Sequence, residues 1–202
     1  MRRLIIPESE IRKDRRMLEP LFVAAVPTLF LVVLIGGGVA LRRRKIDMEG
    51  TPPIGKNLFR LSKLAMAIPW TAMILQSFGV DLSPVNVPRV MEWISLGLWA
   101  SGFGLLLAGR IGLGSSFRVG CPNDETTLRT DGIFRYSRNP MYLGMYTTFL
   151  AAALYTLNPF VVVIGAGVAA VHHRIVLAEE VCLRKTCGRE YAEYCRRVRR
   201  YL

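Results

Sequence analysis

Long apolar stretches alternate with shorter polar ones along the whole chain. Each of five apolar stretches is 17 to 22 residues long, and the first four contain no charged side chain. A helix needs about 20 apolar residues to cross the hydrocarbon core of a bilayer, with about 17 as the lower limit. The pattern therefore predicts an all-α integral membrane protein with about five transmembrane helices, over residues 20–41, 64–80, 93–109, 141–157 and 160–178.

Two local patterns indicate how these helices pack. The dipeptide Asn158-Pro159 separates the last two stretches, and such a tight turn predicts a helical hairpin. Small residues also recur on one face of the third helix, and small residues allow membrane helices to approach closely. This face consists of Gly97, Ser101, Gly104 and Ala108.

Basic residues are collected in particular loops. The net charge is +12, which is typical of chains that bind nucleic acid or an anionic membrane face. The apolar stretches favour the lipid bilayer as partner and not nucleic acid. Seven Lys or Arg lie in 42–63, whereas 81–92 holds only Arg89. The positive-inside rule then places 42–63, 110–140 and the C-terminus in the cytoplasm, although six basic residues within 2–16 oppose an external N-terminus.

The cysteines and histidines do not form a recognisable metal motif. No two cysteines are spaced as C-x-x-C, and the only two histidines are adjacent in the chain. We therefore expect no metal site, and we expect reduced cysteines, since most of them fall in the tail assigned to the cytoplasm. The residues concerned are Cys121, Cys182, Cys187, Cys195, His172 and His173.

The fourth helix has a strong start signal. Asn139 suits the N-cap position and Pro140 the first helical position. A helix N-terminus presents unpaired N–H groups and a partial positive charge, which together favour an anion such as a carboxylate. The alternative is an ordinary capped helix beside which Arg135 and Arg138 are solvated or touch lipid phosphate. Both interpretations remain open from these residues alone.

Ionisable residues interrupt the end of the fifth helix. His172-His173-Arg174 follows only twelve apolar residues, and Glu179-Glu180 follows soon after. A spacing of seven residues puts His172 on the face of Glu179 and His173 on that of Glu180, with about 10 Å along the axis between partners. This length fits a nucleotide-sized cofactor, in a polar pocket built from 126–142 and 172–180. The alternatives are snorkelling histidines and solvated carboxylates. Gly188 then breaks the tail, and we expect Tyr191 and Tyr194 to pack inward.

Three sequence blocks resemble one family of membrane enzymes. They read L-G-x-S-F-R-V-G at 113–120, L-x-T-x-G-x-F-x-x-S-R-N-P-x-Y-L-G at 128–144 and E-E-x-x-L-x-x-x-x-G-x-E-Y-x-x-Y at 179–194. In this order, with a helical hairpin between the last two, they are similar to the isoprenylcysteine carboxyl methyltransferase and phospholipid methyltransferase superfamily. The resemblance covers about 90 residues, and three blocks in register are more specific than any one of them.

The resemblance implies a cofactor, an acceptor and a set of site residues. The cofactor would be S-adenosylmethionine at the cytoplasmic face, and the acceptor a hydrophobic or lipid-like molecule, with a prenylcysteine-type carboxylate among the candidates. Arg138 and Arg174 would lie nearest the reacting centre, with Glu180 supporting them. Asn139 stands where many members have His, and Arg174 is one position from the expected place. The implied cofactor contacts are Thr126, Thr127, Leu128, Gly132, Phe134, Asn139, Pro140, Met141, Tyr142 and Glu179.

The acceptor decides which further groups the chemistry needs. A carboxylate needs only a cation such as Arg174, whereas an amine or thiol must lose a proton, for which His172 and His173 are the candidates. The predicted regions are 1–110, with three membrane helices, and 111–202, which resembles the methyltransferases. Two other functions remain open: an NADPH-dependent enzyme like the sterol reductases, which have similar C-terminal tails, and a membrane protein of the same fold without activity.

Overall fold

The computed structural model describes residues 8–43, 52, 54–117 and 128–202, with the backbone alone for 8–16 and 115. Every regular element in these ranges is helical, so the all-α prediction is confirmed. The α-helices are α1 (Glu8–Arg43), α2 (Lys56–Ala65), α3 (Ala67–Ser77), α4 (Arg89–Leu113), α5 (Pro140–Thr156) and α6 (Pro159–Arg197). Short 3₁₀ turns follow at Gly114–Ser116 and Gly132–Arg135.

Four helical segments are long and apolar enough to cross a membrane. They are Met17–Arg43, Lys56–Ser77, Arg89–Leu113 and Pro159–Arg197, the second of which joins α2 and α3. The remaining predicted span is α5, whose 17 residues reach about 25 Å and so lie at the lower limit for crossing. Large apolar side chains such as Leu29, Val32 and Ile35 face outward from α1. The protein is an integral membrane protein.

Helices α4 and α5 cross with their backbones in direct contact. A Cβ atom built at Gly144 would lie 2.5 Å from the carbonyl oxygen of Gly102, and one at Gly102 would lie 2.8 Å from that of Gly144. The prediction that the face of α4 with Gly97 and Gly104 packs closely on another helix is therefore wrong. A Cβ at either glycine would meet nothing within 4 Å. Small residues occur on two faces of α4, and the sequence does not show which of them meets α5.

The crossing predicts a clear difference between two glycines. Gly144→Ala should lower the free energy of unfolding by about 1–3 kcal/mol, because the added methyl group overlaps backbone atoms that cannot rotate away. Gly104→Ala, with open space around it, is the matched control and should leave stability unchanged or slightly higher. Thermal unfolding in detergent, followed by circular dichroism, measures both. Equal melting temperatures for the two variants would contradict the close crossing.

An aromatic core ties α1, α3, α4 and α5 together. The rings of Trp70 and Phe103 lie 4.9 Å apart between centroids, as do those of Trp99 and Phe103. Both indoles have their N–H groups satisfied: Trp70 Nε1 donates to Thr148 Oγ1 at 2.9 Å and Trp99 Nε1 to the Val23 carbonyl at 3.1 Å. Burial without an unpaired polar group keeps this core favourable. This aromatic core fixes the relative positions of the helices that carry the polar residues described below.

The predicted hairpin between α5 and α6 is present. Asn158 caps α6, since its Oδ1 accepts from the Phe160 N–H at 2.9 Å, and its Nδ2 donates to the Leu82 carbonyl at 2.6 Å. The predicted break at Gly188 is also found, with φ +47 and ψ −117 inside α6. Beyond it, Tyr191 and Tyr194 are buried as expected.

One expectation about the cysteines is wrong. Cys187 and Cys195 are free thiols, but Cys182 is disulfide-bonded. The spacing of cysteines along a chain does not show which of them meet in space.

The predicted division of the chain into 1–110 and 111–202 stays a prediction. The boundary falls near the end of α4, which packs closely on α5.

Candidate functional site

Polar side chains converge where α5 begins. Three parts of the chain meet there: the 3₁₀ turn Gly132–Arg135 with the first turn of α5, the second half of α6, and the C-terminal segment, defined here as residues 198–202. The turn is allowed by Gly132, whose φ of +56 suits glycine. Phe134 in the turn packs against Tyr191 and Tyr194, and the Tyr194 hydroxyl donates to the Phe134 carbonyl at 2.6 Å.

Glu180 holds two arginines. Its carboxylate accepts from Arg200, with Nε to Oε1 at 3.0 Å and Nη2 to Oε2 at 2.9 Å, and pairs with Arg138 Nη2 at 3.2 Å. The side chains of Arg138 and Glu180 are 9% and 6% exposed, so this pair is almost fully desolvated. The hydrogen bonds to Glu180 raise the pKa of Arg200 above its usual value. We call these three residues the Glu180 cluster.

The C-terminal segment lies along the turn before α5. The Arg138 N–H donates to the Arg199 carbonyl at 3.1 Å, and the Arg200 carbonyl accepts from Ser137 Oγ at 3.3 Å and Asn139 Nδ2 at 3.2 Å. Asn139 thus occupies the N-cap position, as predicted, but its side chain does not cap α5. The amide holds the C-terminal segment instead. Backbone and side-chain contacts together fix Arg200 where it reaches Glu180.

The N-terminus of α5 is not capped by its N-cap side chain. Pro140 at its first position has no N–H, and within the described residues the Asn139 side chain makes no capping hydrogen bond to the N–H groups that follow. In the same turn the Tyr142 hydroxyl donates to Glu179 Oε2 at 3.0 Å. A helix N-terminus, with its partial positive charge, therefore lies next to a carboxylate that accepts a hydrogen bond from a phenol. This arrangement fits a zwitterion, with its carboxylate at the helix terminus and its ammonium group at Glu179.

The two faces predicted on α6 have separate partners. On the first face, the Tyr142 ring lies 6.1 Å from the His172 ring and its hydroxyl reaches Glu179. On the second, His173 Nδ1 lies 2.8 Å from the Tyr201 hydroxyl, next to the Arg200 that holds Glu180. His172 is buried and its Nδ1 lies 2.9 Å from the Val168 carbonyl. A carbonyl only accepts, so Nδ1 carries a proton, and in the neutral ring the lone pair is on Nε2.

Most of the predicted site residues come together. Phe134 packs with Tyr191 and Tyr194, and Leu128 packs against these three rings. Pro140 is buried, and Met141 packs against Gly109 of α4. Thr126 and Thr127 lie outside the described residues. Arg174 is exposed on α6, and within the described ranges no hydrogen bond or ion pair connects it to the other site residues. Its proposed role near the reacting centre stays a prediction, as do the roles of the other residues.

Sequence reasoning missed the C-terminal residues of the site. Arg200 and Tyr201 lie in the basic C-terminal tail, for which the sequence predicted a cytoplasmic location and no part in the site. Burial raises the pKa of Tyr201, whose hydroxyl also lies 3.4 Å from that of Tyr146. No local motif signals these contacts, because they join residues 20 to 63 positions apart. As for metals, no group of three His, Cys, Asp or Glu in the described part of the chain lies close enough to hold an ion.

Comparison with known proteins identifies the family. The sequence model described as "Phospholipid methyltransferase" matches residues 90–190, which is half of the chain. The match runs from the start of α4 into α6 and includes the first turn of α5, Glu179 and Glu180. No curated protein matches this sequence significantly. The chain belongs to the phospholipid methyltransferase family and is a membrane methyltransferase.

Proposed function

We propose that this protein transfers a methyl group from S-adenosylmethionine to a hydrophobic, lipid-like acceptor. The observation that carries the proposal is the uncapped N-terminus of α5 beside the Tyr142–Glu179 pair, within the range that matches the family. S-adenosylmethionine has an amino-acid end with one carboxylate and one ammonium group. The helix terminus suits the first and Glu179 the second.

Other predicted residues would complete the cofactor site. Leu128 is half-buried and offers apolar surface beside the buried rings of Phe134, Tyr191 and Tyr194, and Gly132 is exposed. When bound, S-adenosylmethionine supplies an electrophilic sulfonium methyl group. The protein then has to align the acceptor and exclude water. The Glu180 cluster serves this end by holding the C-terminal segment against the turn before α5.

A lipid amine as acceptor would also need a base. The His172 Nε2 lone pair is one candidate, because its Nδ1 proton is engaged by the Val168 carbonyl. His173 is the other, with the Tyr201 hydroxyl at its Nδ1. A carboxylate acceptor would need neither and would use a cation such as Arg174. The family description makes a phospholipid the first acceptor to test.

Methyl transfer tests this proposal directly. Purified protein in mixed micelles would be given S-adenosylmethionine with a labelled methyl group and, separately, phosphatidylethanolamine, an S-prenylcysteine and a total lipid extract. Mass spectrometry of the organic phase should find labelled product with at least one of them. Folded protein that transfers no label to any of the three acceptors would contradict the proposal.

We further propose that the site lies on the cytoplasmic side, which the basic loops support. In a variant with Cys187 and Cys195 replaced by Ala, Thr186→Cys should react with a membrane-impermeant maleimide only after the cells are permeabilised. Asn86→Cys, in the loop at the other end of the helices, is the matched control and should react in intact cells. Both positions are exposed. The reverse labelling pattern would place the site outside.

A further inference from the structure

A buried arginine in α4 takes no part in the site described above. Arg110 lies in the last turn of α4 and is 5% exposed. Its Nη1 donates to the Gly114 carbonyl at 3.2 Å, and its Nε is buried without a hydrogen-bond partner. No Asp or Glu among the described residues pairs with it.

Because its surroundings are apolar, the lack of a counter-charge among the described residues makes burial of this guanidinium costly. The guanidinium lies over the Phe117 ring, 4.5 Å from the centroid. On the other side it touches α1 at Gly37, where an added Cβ would overlap Nη2. Arginine cannot discard its proton, so this charge persists in an apolar setting. A buried charge without a counter-charge is strongly unfavourable. An anion at this position would remove that cost.

The position of Arg110 indicates where such an anion comes from. Next to it in sequence, Gly109 packs on Met141 at the start of α5, and Gly112 packs on Phe134. Arg110 is therefore at the same end of the helices as the candidate site, on the side where α4 meets α1. Both helices are membrane spans, and their outward faces carry large apolar side chains. The anionic group found at the end of membrane spans is the lipid phosphate, which an arginine fork binds through two parallel hydrogen bonds.

We propose that Arg110 binds the phosphate of a membrane phospholipid between α1 and α4. The glycine at position 37 leaves room for the guanidinium, the Phe117 ring orients it, and the Gly114 carbonyl fixes one edge. The acyl chains of the lipid would extend along the apolar outer faces of the two helices. This site does not depend on methyl transfer, and it would exist whether or not the bound lipid is the methyl acceptor.

Lipid-dependent thermal stability tests the proposal. Delipidated protein in detergent would be given phosphatidic acid, diacylglycerol with the same acyl chains, or inorganic phosphate. Phosphatidic acid should raise the melting temperature by several degrees, and diacylglycerol should not. Stabilisation by inorganic phosphate alone would assign the site to a free anion and overturn the lipid proposal. Arg110→Met should lose the effect of phosphatidic acid, whereas Arg89→Met, which removes an exposed arginine of the same helix, should retain it.

The stability of Arg110→Met without lipid separates this proposal from an internal ion pair. If the guanidinium has no counter-charge in the protein, the variant should melt at the same temperature as the delipidated wild type or higher. A marked fall in melting temperature would mean that a carboxylate of the chain has lost its partner, and would overturn the proposal.

Native mass spectrometry gives a second readout. The fraction of protein with one bound phosphatidic acid should fall about tenfold or more in Arg110→Met, which corresponds to the loss of one bidentate contact to a charged group. An unchanged fraction would also overturn it.

Discussion

Glu180→Gln is expected to lower the free energy of unfolding by about 3 kcal/mol, because it leaves two arginines facing a neutral amide in a desolvated site. Arg138 is 9% exposed and loses its only carboxylate among the described residues, while Arg200, at 35%, can turn partly to solvent. The C-terminal segment should detach from the turn before α5. Methyl transfer should fall with it, by about a hundredfold or more if alignment is the main source of rate. Chemical unfolding in detergent and labelled methyl transfer measure the two effects.

An exposed ion pair provides the matched control for this variant. Glu193 accepts from Arg189 at 3.1 Å, and these side chains are 47% and 92% exposed. Glu193→Gln should change stability by less than about 0.5 kcal/mol, because water screens the pair. In the double variant Glu180→Gln/Arg138→Met, part of the loss should be recovered, since the more deeply buried of the two stranded charges is gone. If Glu180→Gln is no more harmful than Glu193→Gln, the Glu180 cluster does not hold the site together.

Glu179→Gln is expected to weaken binding of S-adenosylmethionine by about tenfold or more. The change removes the charge that would pair with the cofactor's ammonium group, and a hydrogen bond to a charged group is worth about 1.5–3 kcal/mol. Tyr142→Phe should cost less, about threefold to tenfold, because the phenol only orients the carboxylate. The double variant should bind about as weakly as Glu179→Gln alone, since Tyr142 acts through Glu179. Calorimetric titration of the purified variants measures all three affinities.

Glu190→Gln is the control for these titrations. Glu190 lies on the same helix and is exposed, so its loss should not alter cofactor affinity. An unchanged affinity in Glu179→Gln would reject the placement of the ammonium group. Additive losses from Tyr142→Phe and Glu179→Gln would mean that the phenol touches the cofactor independently of the carboxylate.

Features set by local sequence were predictable. The start of α5 at Pro140, the cap at Asn158 and the break at Gly188 follow from the backbone preferences of proline, asparagine and glycine, which need no distant partner. The helices themselves follow from apolar length, although α5, at 17 residues, is at the limit. Helical periodicity also explains why His172 and Glu179 share one face of α6 and why His173 and Glu180 share another.

Features that depend on distant contacts were not predictable. Asn139 has the sequence of a helix cap, yet its amide holds the Arg200 carbonyl 61 residues away. Gly102, and not the Gly97–Gly104 face, meets Gly144, because the rotation of α4 is decided by all of its neighbours together. Arg200 completes the Glu180 cluster from a tail with no recognisable motif. In each case the local sequence allows several partners, and only packing selects one.

The measurement that tests the central proposal most directly is a calorimetric titration of the wild-type protein with S-adenosylmethionine. The sample would be folded and monodisperse in detergent, with the melting temperature measured on the same preparation. We predict saturable binding with one site per chain, which S-adenosylhomocysteine should compete for and Glu179→Gln should weaken by about tenfold or more. No heat of binding and no shift in melting temperature in a folded sample would contradict the proposal that the polar end of α5 and α6 is a methyl-donor site.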